Sequence, residues 1–156
     1  MKILGIHDGH NSGATLLVDG KIAAAVCEER LTRKKNEIGY PEKSIDDVLG
    51  LANCRPDELT SVVYASNFMH SQDHLARASE WYRSGRLDQE RDSKRDAGYL
   101  KAVFDQRRGE RIDQVVEQLG VSPDKIGFVE HHLAHGAAAY YGAPFALDEP
   151  VLILTC

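Results

Sequence analysis

Two histidines four residues apart, His131 and His135, carry the most pointed chemistry in this chain. On a helix, residues i and i+4 project from the same face one turn apart. That is how a helix offers two imidazole nitrogens to a single metal ion. His132 lies roughly 100° further round a 3.6-residue helix and is not expected to share that ion. No glutamate follows His131, so the helical HExxH pattern of metalloproteases is not met. A bare HxxxH pair also occurs as an ordinary surface feature. Here it follows an apolar run, Ile126 to Val129, and ligands in open α/β sheets gather outside the carboxyl ends of strands. Ala134, Ala137, Ala138 and Ala139 keep the same helix slim enough for close packing.

A second cluster stands near the N-terminus, in His7-Asp8-Gly9-His10-Asn11-Ser12-Gly13. Glycines let backbone N–H groups approach an anion, while Asp8, His10 and Asn11 add hydrogen-bonding and proton-transfer capacity. The plainer alternative is a polar hairpin loop. The glycine spacing fits neither a P-loop nor a dinucleotide fingerprint. Further on, Arg30, Arg33, Lys34 and Lys35 form a short basic run behind Glu28 and Glu29. By spacing alone it reads equally well as a solvated charged turn.

The elements that must position these groups follow from hydrophobic periodicity. Lys2 to Ile6, Ala14 to Val18 and Lys21 to Cys27 read as three antiparallel strands, with Asp19-Gly20 as a hairpin turn between the last two. Ser44 is placed to cap a helix whose inward face is Ile45, Val48, Leu49 and Ala52. Ser61 to Ala65 reads as a buried fourth strand and Ile126 to Val129 as a fifth. Between them, residues 70–119 are predicted to form two or three helices, with a dense charged stretch between Trp81 and Arg108 that reads as an insertion. The last helix presents Ile112, Val115, Val116 and Leu119 inward and ends at Gly120. A helix over His131 to Tyr141 and a strand-like run over Val151 to Thr155 complete the pattern, which is α/β with a mixed sheet.

A chain of 156 residues with 42% hydrophobic and 28% charged side chains suits one globular domain with a real core. Its net charge of −5 argues against nucleic acid as a partner. Cys27, Cys54 and Cys156 make no CxxC pair, which suits a reducing compartment. The N-terminus turns polar after six residues and no apolar run is long enough to span a bilayer, so a cytoplasmic protein with no membrane partner is expected.

The string ILGIHDGHNSGATLLVDGKIAAAVCEERLTRKKNEIGYP resembles the start of the carbamoyltransferase family that modifies antibiotics and nodulation factors, and EHHLAHGAAAYYGAPF resembles that family's second signature. The resemblance covers residues 1–41 and 126–156 by motif and the middle by position. It implies the first ribonuclease-H-like lobe of a two-lobed domain, a fold shared with actin and sugar kinases. The second lobe and a YrdC-like domain are expected to lie outside residues 1–156.

It further implies ATP and a divalent metal, usually iron, as cofactors. The implied reaction moves a carbamoyl group from carbamoyl phosphate, through carbamoyl adenylate, to a substrate hydroxyl. In that scheme His131 and His135 hold the metal. His10, with Asp8 beside it, lies at the carbamoyl group. Because a histidine's ordinary pKa is near neutral, His10 is the group expected to take the proton of the attacking hydroxyl. Asn11 and Lys35 contact the nucleotide or anionic intermediate. Alone, this lobe is expected to be inactive and to self-associate as a homo-oligomer through Leu133, Tyr140, Tyr141 and the run Val151 to Leu154. Two rivals differ in class: a relative of the tRNA threonylcarbamoyl-adenosine synthases, disfavoured by HDGHNSG followed by EERLTRKK, and a non-catalytic scaffold retaining a degenerate lobe.

Overall fold

The computed structural model of the protein describes residues 1–71, 97–143 and 150–155. Strands β1 (Lys2–His7), β2 (Gly13–Val18) and β3 (Lys21–Cys27) form an antiparallel meander. The β2–β3 turn has positive φ at both central residues, Asp19 at 50° and Gly20 at 80°. This is the twist-matched hairpin turn that Asp-Gly favours. The far edge of β1 pairs in parallel with β4 (Ser61–Tyr64), which pairs in parallel with β5 (Ile126–Phe128). The sheet is therefore mixed, as expected, but its order across is β3-β2-β1-β4-β5. The first strand is thus the border of the antiparallel block and the centre of the whole sheet, with the parallel strands added on its other side.

Alternation along the strands decides which face is covered. Leu4 and Ile6 of β1, Ala14 and Leu16 of β2, and Val62 and Tyr64 of β4 are buried together. Helix α2 (Glu42–Leu51) covers this core with Ile45, Val48 and Leu49, and α3 (Ala97–Leu119) with Val115 and Leu119. Gln118 of α3 ties the two helices, accepting from the Tyr40 hydroxyl at 2.7 Å and donating to the Glu42 carbonyl at 2.9 Å and to Asp46 at 2.8 Å. Helix α3 ends as predicted. Gly120 at φ 63° sends its N–H to the Val116 carbonyl at 2.9 Å.

Three expectations change. Helix α2 begins at Glu42 with Pro41 at its cap position, and Ser44 lies inside the first turn rather than capping it. Proline has no side-chain acceptor, and the buried Glu28 supplies one instead. Its carboxylate accepts from the N–H groups of Ser44 at 2.7 Å and Lys43 at 3.2 Å, and from the Ser44 hydroxyl at 2.7 Å. Glu28 itself opens a short helix, α1 (Glu28–Thr32), where a charged turn is the simpler reading. The run Val151 to Thr155 is not a strand. A strand exists only with a neighbour to share its ladder, and Leu152 and Leu154 are exposed.

The predicted insertion lies mostly outside the described residues, which resume at α3. Among the described residues Cys27 and Cys54 are free, and no helix is long and apolar enough to cross a membrane. Cys156 lies outside them.

Candidate functional site

Three adjacent parallel strands end side by side, and the chemistry collects where they end. His7 closes β1, Ala65 follows β4, and His131 opens α4 (His131–Gly142) shortly after β5. The start of α4 is fixed by Glu130, whose carboxylate accepts from the Leu133 N–H at 2.8 Å. A cleft of about 480 Å³ opens here, lined by His7, Gly9, His10, Met69, His131 and His135, with Ala65 and Ala134. The two motifs, more than 120 residues apart, thus meet in one pocket. His132 is exposed and is not among the lining residues.

Neighbours set the protonation pattern of these rings. His131 Nδ1 lies 3.0 Å from the Ala65 carbonyl oxygen. A carbonyl only accepts, so Nδ1 carries the proton and Nε2 keeps its lone pair. That lone pair faces His135 Nε2 at 3.1 Å. Two lone pairs at this separation repel unless a proton or a cation lies between them. His131 and His135 therefore fit as two nitrogen ligands, His131 being oriented by a backbone carbonyl as metal-binding histidines usually are. Among the described residues no third His, Cys, Asp or Glu joins them in a metal-sized group, so the pair fits as part of a coordination shell.

His7 was not singled out by its spacing, yet it lies at the centre of the arrangement. Its ring stacks on His131 with centroids 6.0 Å apart, and its Nε2 donates to the His10 carbonyl at 3.0 Å. Burial lowers its pKa from the ordinary histidine value, against opposing help from the His10 carbonyl and the Asp8 charge. Gly9 makes room for it. A Cβ at Gly9 would stand 2.9 Å from His7 Cε1 and 2.9 Å from the Met69 methyl.

Asp8 is buried behind the cleft and is not among its lining residues. Its carboxylate accepts from Arg111 Nη2 at 3.0 Å and lies 2.8 Å from Arg111 Nε as an ionic contact. Arg111 is completely buried. It also donates to the Ser66 carbonyl at 3.1 Å and hydroxyl at 3.0 Å, and its guanidinium lies over the Tyr64 ring at 4.1 Å. Burial pulls its pKa below the ordinary value, with Asp8 opposing that shift. Asp8, Ser66 and Arg111 thus rivet the ends of β1 and β4 to α3, so the geometry gives Asp8 a positioning task. Arg111 had one legible signal. It falls four and eight residues before the core positions Val115 and Leu119, so its face must bury a charge and find a carboxylate.

The basic segment is stitched to the first turn. Ser12 N–H donates to the Glu37 carbonyl at 3.0 Å, Gly39 N–H to the Asp8 carbonyl at 3.2 Å, and His10 bridges Ile38. Lys35 travels with this segment but is exposed and does not line the cleft. Asn11, at φ 57°, is exposed and lines a neighbouring hollow of about 360 Å³ over Gly5, Gly13, Thr15 and Ala25. The two hollows share His7 and Ala65 as a common wall. Of the residues expected to share one site, His10, His131 and His135 do so. Asp8, Asn11 and Lys35 do not line it.

The sequence matches the family described as Carbamoyltransferase N-terminus over residues 2–156. It is 30% identical to the nodulation protein NolNO of Sinorhizobium fredii across 94% of this chain and 19% of that protein. An uncharacterised protein of Synechocystis is 32% identical across 92% of the chain and 23% of its own length. An uncharacterised protein of Methanocaldococcus jannaschii is 44% identical over 70 residues, 45% of the chain and 13% of its own length. The matched part of the chain thus spans under a quarter of the length of each of these relatives.

Proposed function

Because the chain belongs to the family of carbamoyltransferase N-termini, we propose that it is the first, ribonuclease-H-like lobe of an ATP-dependent O-carbamoyltransferase. The carrying observation is the convergence of His7, His10, His131 and His135 on one cleft at the ends of β1, β4 and β5. The antiparallel meander followed by parallel strands, with α3 in the β4–β5 connection, supports the lobe assignment.

In this reading carbamoyl phosphate and ATP supply carbamoyl adenylate, and the cleft receives its carbamoyl end. The acceptor's hydroxyl oxygen forms a bond to the carbamoyl carbon. The bond from that carbon to the phosphate oxygen breaks, and AMP leaves with its electron pair. His131 and His135 would hold a divalent ion, iron by family resemblance. Bound there, such an ion would neutralise anionic oxygens of the nucleotide. His7 packs against His131 and keeps the pair in register. His10 would face the carbamoyl group, while Asn11 and Lys35 would contact the nucleotide or its phosphate. Asp8 and Arg111 hold the turn that carries His10.

The test uses the full-length protein that carries this chain, with iron(II), ATP and isotopically labelled carbamoyl phosphate over a panel of hydroxylated acceptors. His131→Ala and His135→Ala are each expected to abolish stoichiometric iron and to lower transfer at least about 100-fold. A double variant that keeps both its iron and its transfer rate overturns the reading.

A further inference from the structure

Among the described residues, His10 is the one cleft histidine whose ring is held by a side chain from outside the HDGHNSG and HHLAH segments. Asn36 Nδ2 lies 3.2 Å from His10 Nδ1. An amide nitrogen donates and has no lone pair to offer, so His10 Nδ1 is the acceptor. A neutral imidazole with an unprotonated Nδ1 carries its hydrogen on Nε2. We propose that Asn36 is a positioning residue that fixes His10 as the Nε2–H tautomer, so that His10 meets the cleft as a hydrogen-bond donor rather than as a base.

The arrangement around Asn36 is built to hold that donor still. Its backbone sits at φ 55°, in the left-handed region that asparagine tolerates better than most residues. Its own N–H donates to Glu29 at 2.9 Å, which ties it to α1. Two residues on, Ile38 bridges His10 itself, and the Ser12-to-Glu37 and Gly39-to-Asp8 hydrogen bonds lock the register on either side. Asn36 therefore cannot slide along the turn without breaking three backbone contacts. The opposite end of the cleft has the complementary character, since the Ala65 carbonyl leaves His131 Nε2 unprotonated. One side of the pocket offers a proton and the other offers lone pairs.

The chemical consequence rests on the proposed transfer reaction, whereas the tautomer does not. When the acceptor oxygen bonds to the carbamoyl carbon, the carbonyl electrons move onto its oxygen, and an N–H aimed there stabilises the new charge. As the charge collapses, the bond to phosphate breaks. The departing phosphate leaves with that electron pair and takes up the hydroxyl proton. This replaces the proton-accepting role expected for His10 from the chemistry of the attacking hydroxyl.

The experiment reads the tautomer first. In the chain labelled with ¹⁵N-histidine, at a pH where the imidazoles are neutral, two-bond ¹H–¹⁵N correlations should show His10 with a bare Nδ1 and a protonated Nε2. Asn36→Asp, which can only accept, should move that proton to Nδ1. In the full-length protein Asn36→Asp should lower kcat for carbamoyl transfer about 100-fold, the loss typical of one oxyanion donor, with KM for carbamoyl phosphate little changed. His10→Gln, which keeps an N–H, should retain more activity than His10→Ala. A protonated Nδ1 in the unsubstituted chain overturns the proposal, as does an Asn36→Asp protein with undiminished kcat. If the protein transfers no carbamoyl group at all, the proposed function fails while the spectra still decide the tautomer.

Discussion

A completely buried arginine is costly unless its charge is met, and Arg111 is met by Asp8. Removing one partner of such a pair leaves the other charged and desolvated, which typically costs about 3–5 kcal/mol. Asp8→Ala is expected to destabilise the chain by that order, measured by urea denaturation. Asp8→Asn should cost less, because an amide oxygen can still accept from Nη2. A loss under about 1 kcal/mol for Asp8→Ala would mean that Arg111 finds water instead, and that the rivet between β1 and α3 is not what holds the turn. The sequence placed Asp8 among the reacting groups because it stands two residues from His10. Neighbours along a turn need not share a side, and here one faces the core while the other faces the cleft.

At the scale of elements, α2 has no capping side chain of its own. Its first free N–H groups are served by Glu28, from another helix. Charge-assisted hydrogen bonds of this kind contribute about 1.5–3 kcal/mol each, and a carboxylate near a helix N-terminus also meets the helix dipole favourably. Glu28→Ala should therefore lower the midpoint of thermal unfolding more than Ser44→Ala, since it removes all three bonds and Ser44→Ala only one. Equal effects of the two substitutions would show that the cap is solvent and not Glu28. The same contact holds α1 against α2, and with it the segment that brings Asn36 to His10. Periodicity could not reveal it, because helical periodicity describes one face of one helix and says nothing of an acceptor sixteen residues away.

For the whole molecule, the apolar surface left open matters as much as the core. Leu133 and Tyr141 on α4, and Leu152 and Leu154 beyond it, are exposed by 64%, 74%, 86% and 88%. Large apolar groups concentrated on one segment mark a surface that another layer covers. The matched residues cover 13–23% of its relatives' lengths, and in the proposed enzyme a second lobe supplies that layer. Purified alone, the chain is expected to sediment as a dimer or larger and to bind neither ATP nor iron(II) in the micromolar range. Leu152→Lys with Leu154→Lys should shift it toward monomer. A clean monomer with micromolar ATP affinity would show that the visible lobe is self-sufficient.

What the sequence determined by itself was local. The Asp19-Gly20 turn, the inward face of α3 up to Gly120, and the shared face of His131 and His135 all follow from spacings of one helical turn or one strand repeat. The family was legible too, because its two signatures are contiguous strings. Tertiary structure alone decided which of these pieces meet. The central place of β1, paired with β2 on one side and β4 on the other, brings His7 and His10 beside His131 and His135. The same order lets Arg111 reach Asp8 across 103 residues and Asn36 reach His10 across 26. A residue's own periodicity carries its direction relative to its neighbours. Its distant partner is chosen by strand order and register, which are set by how the whole core packs.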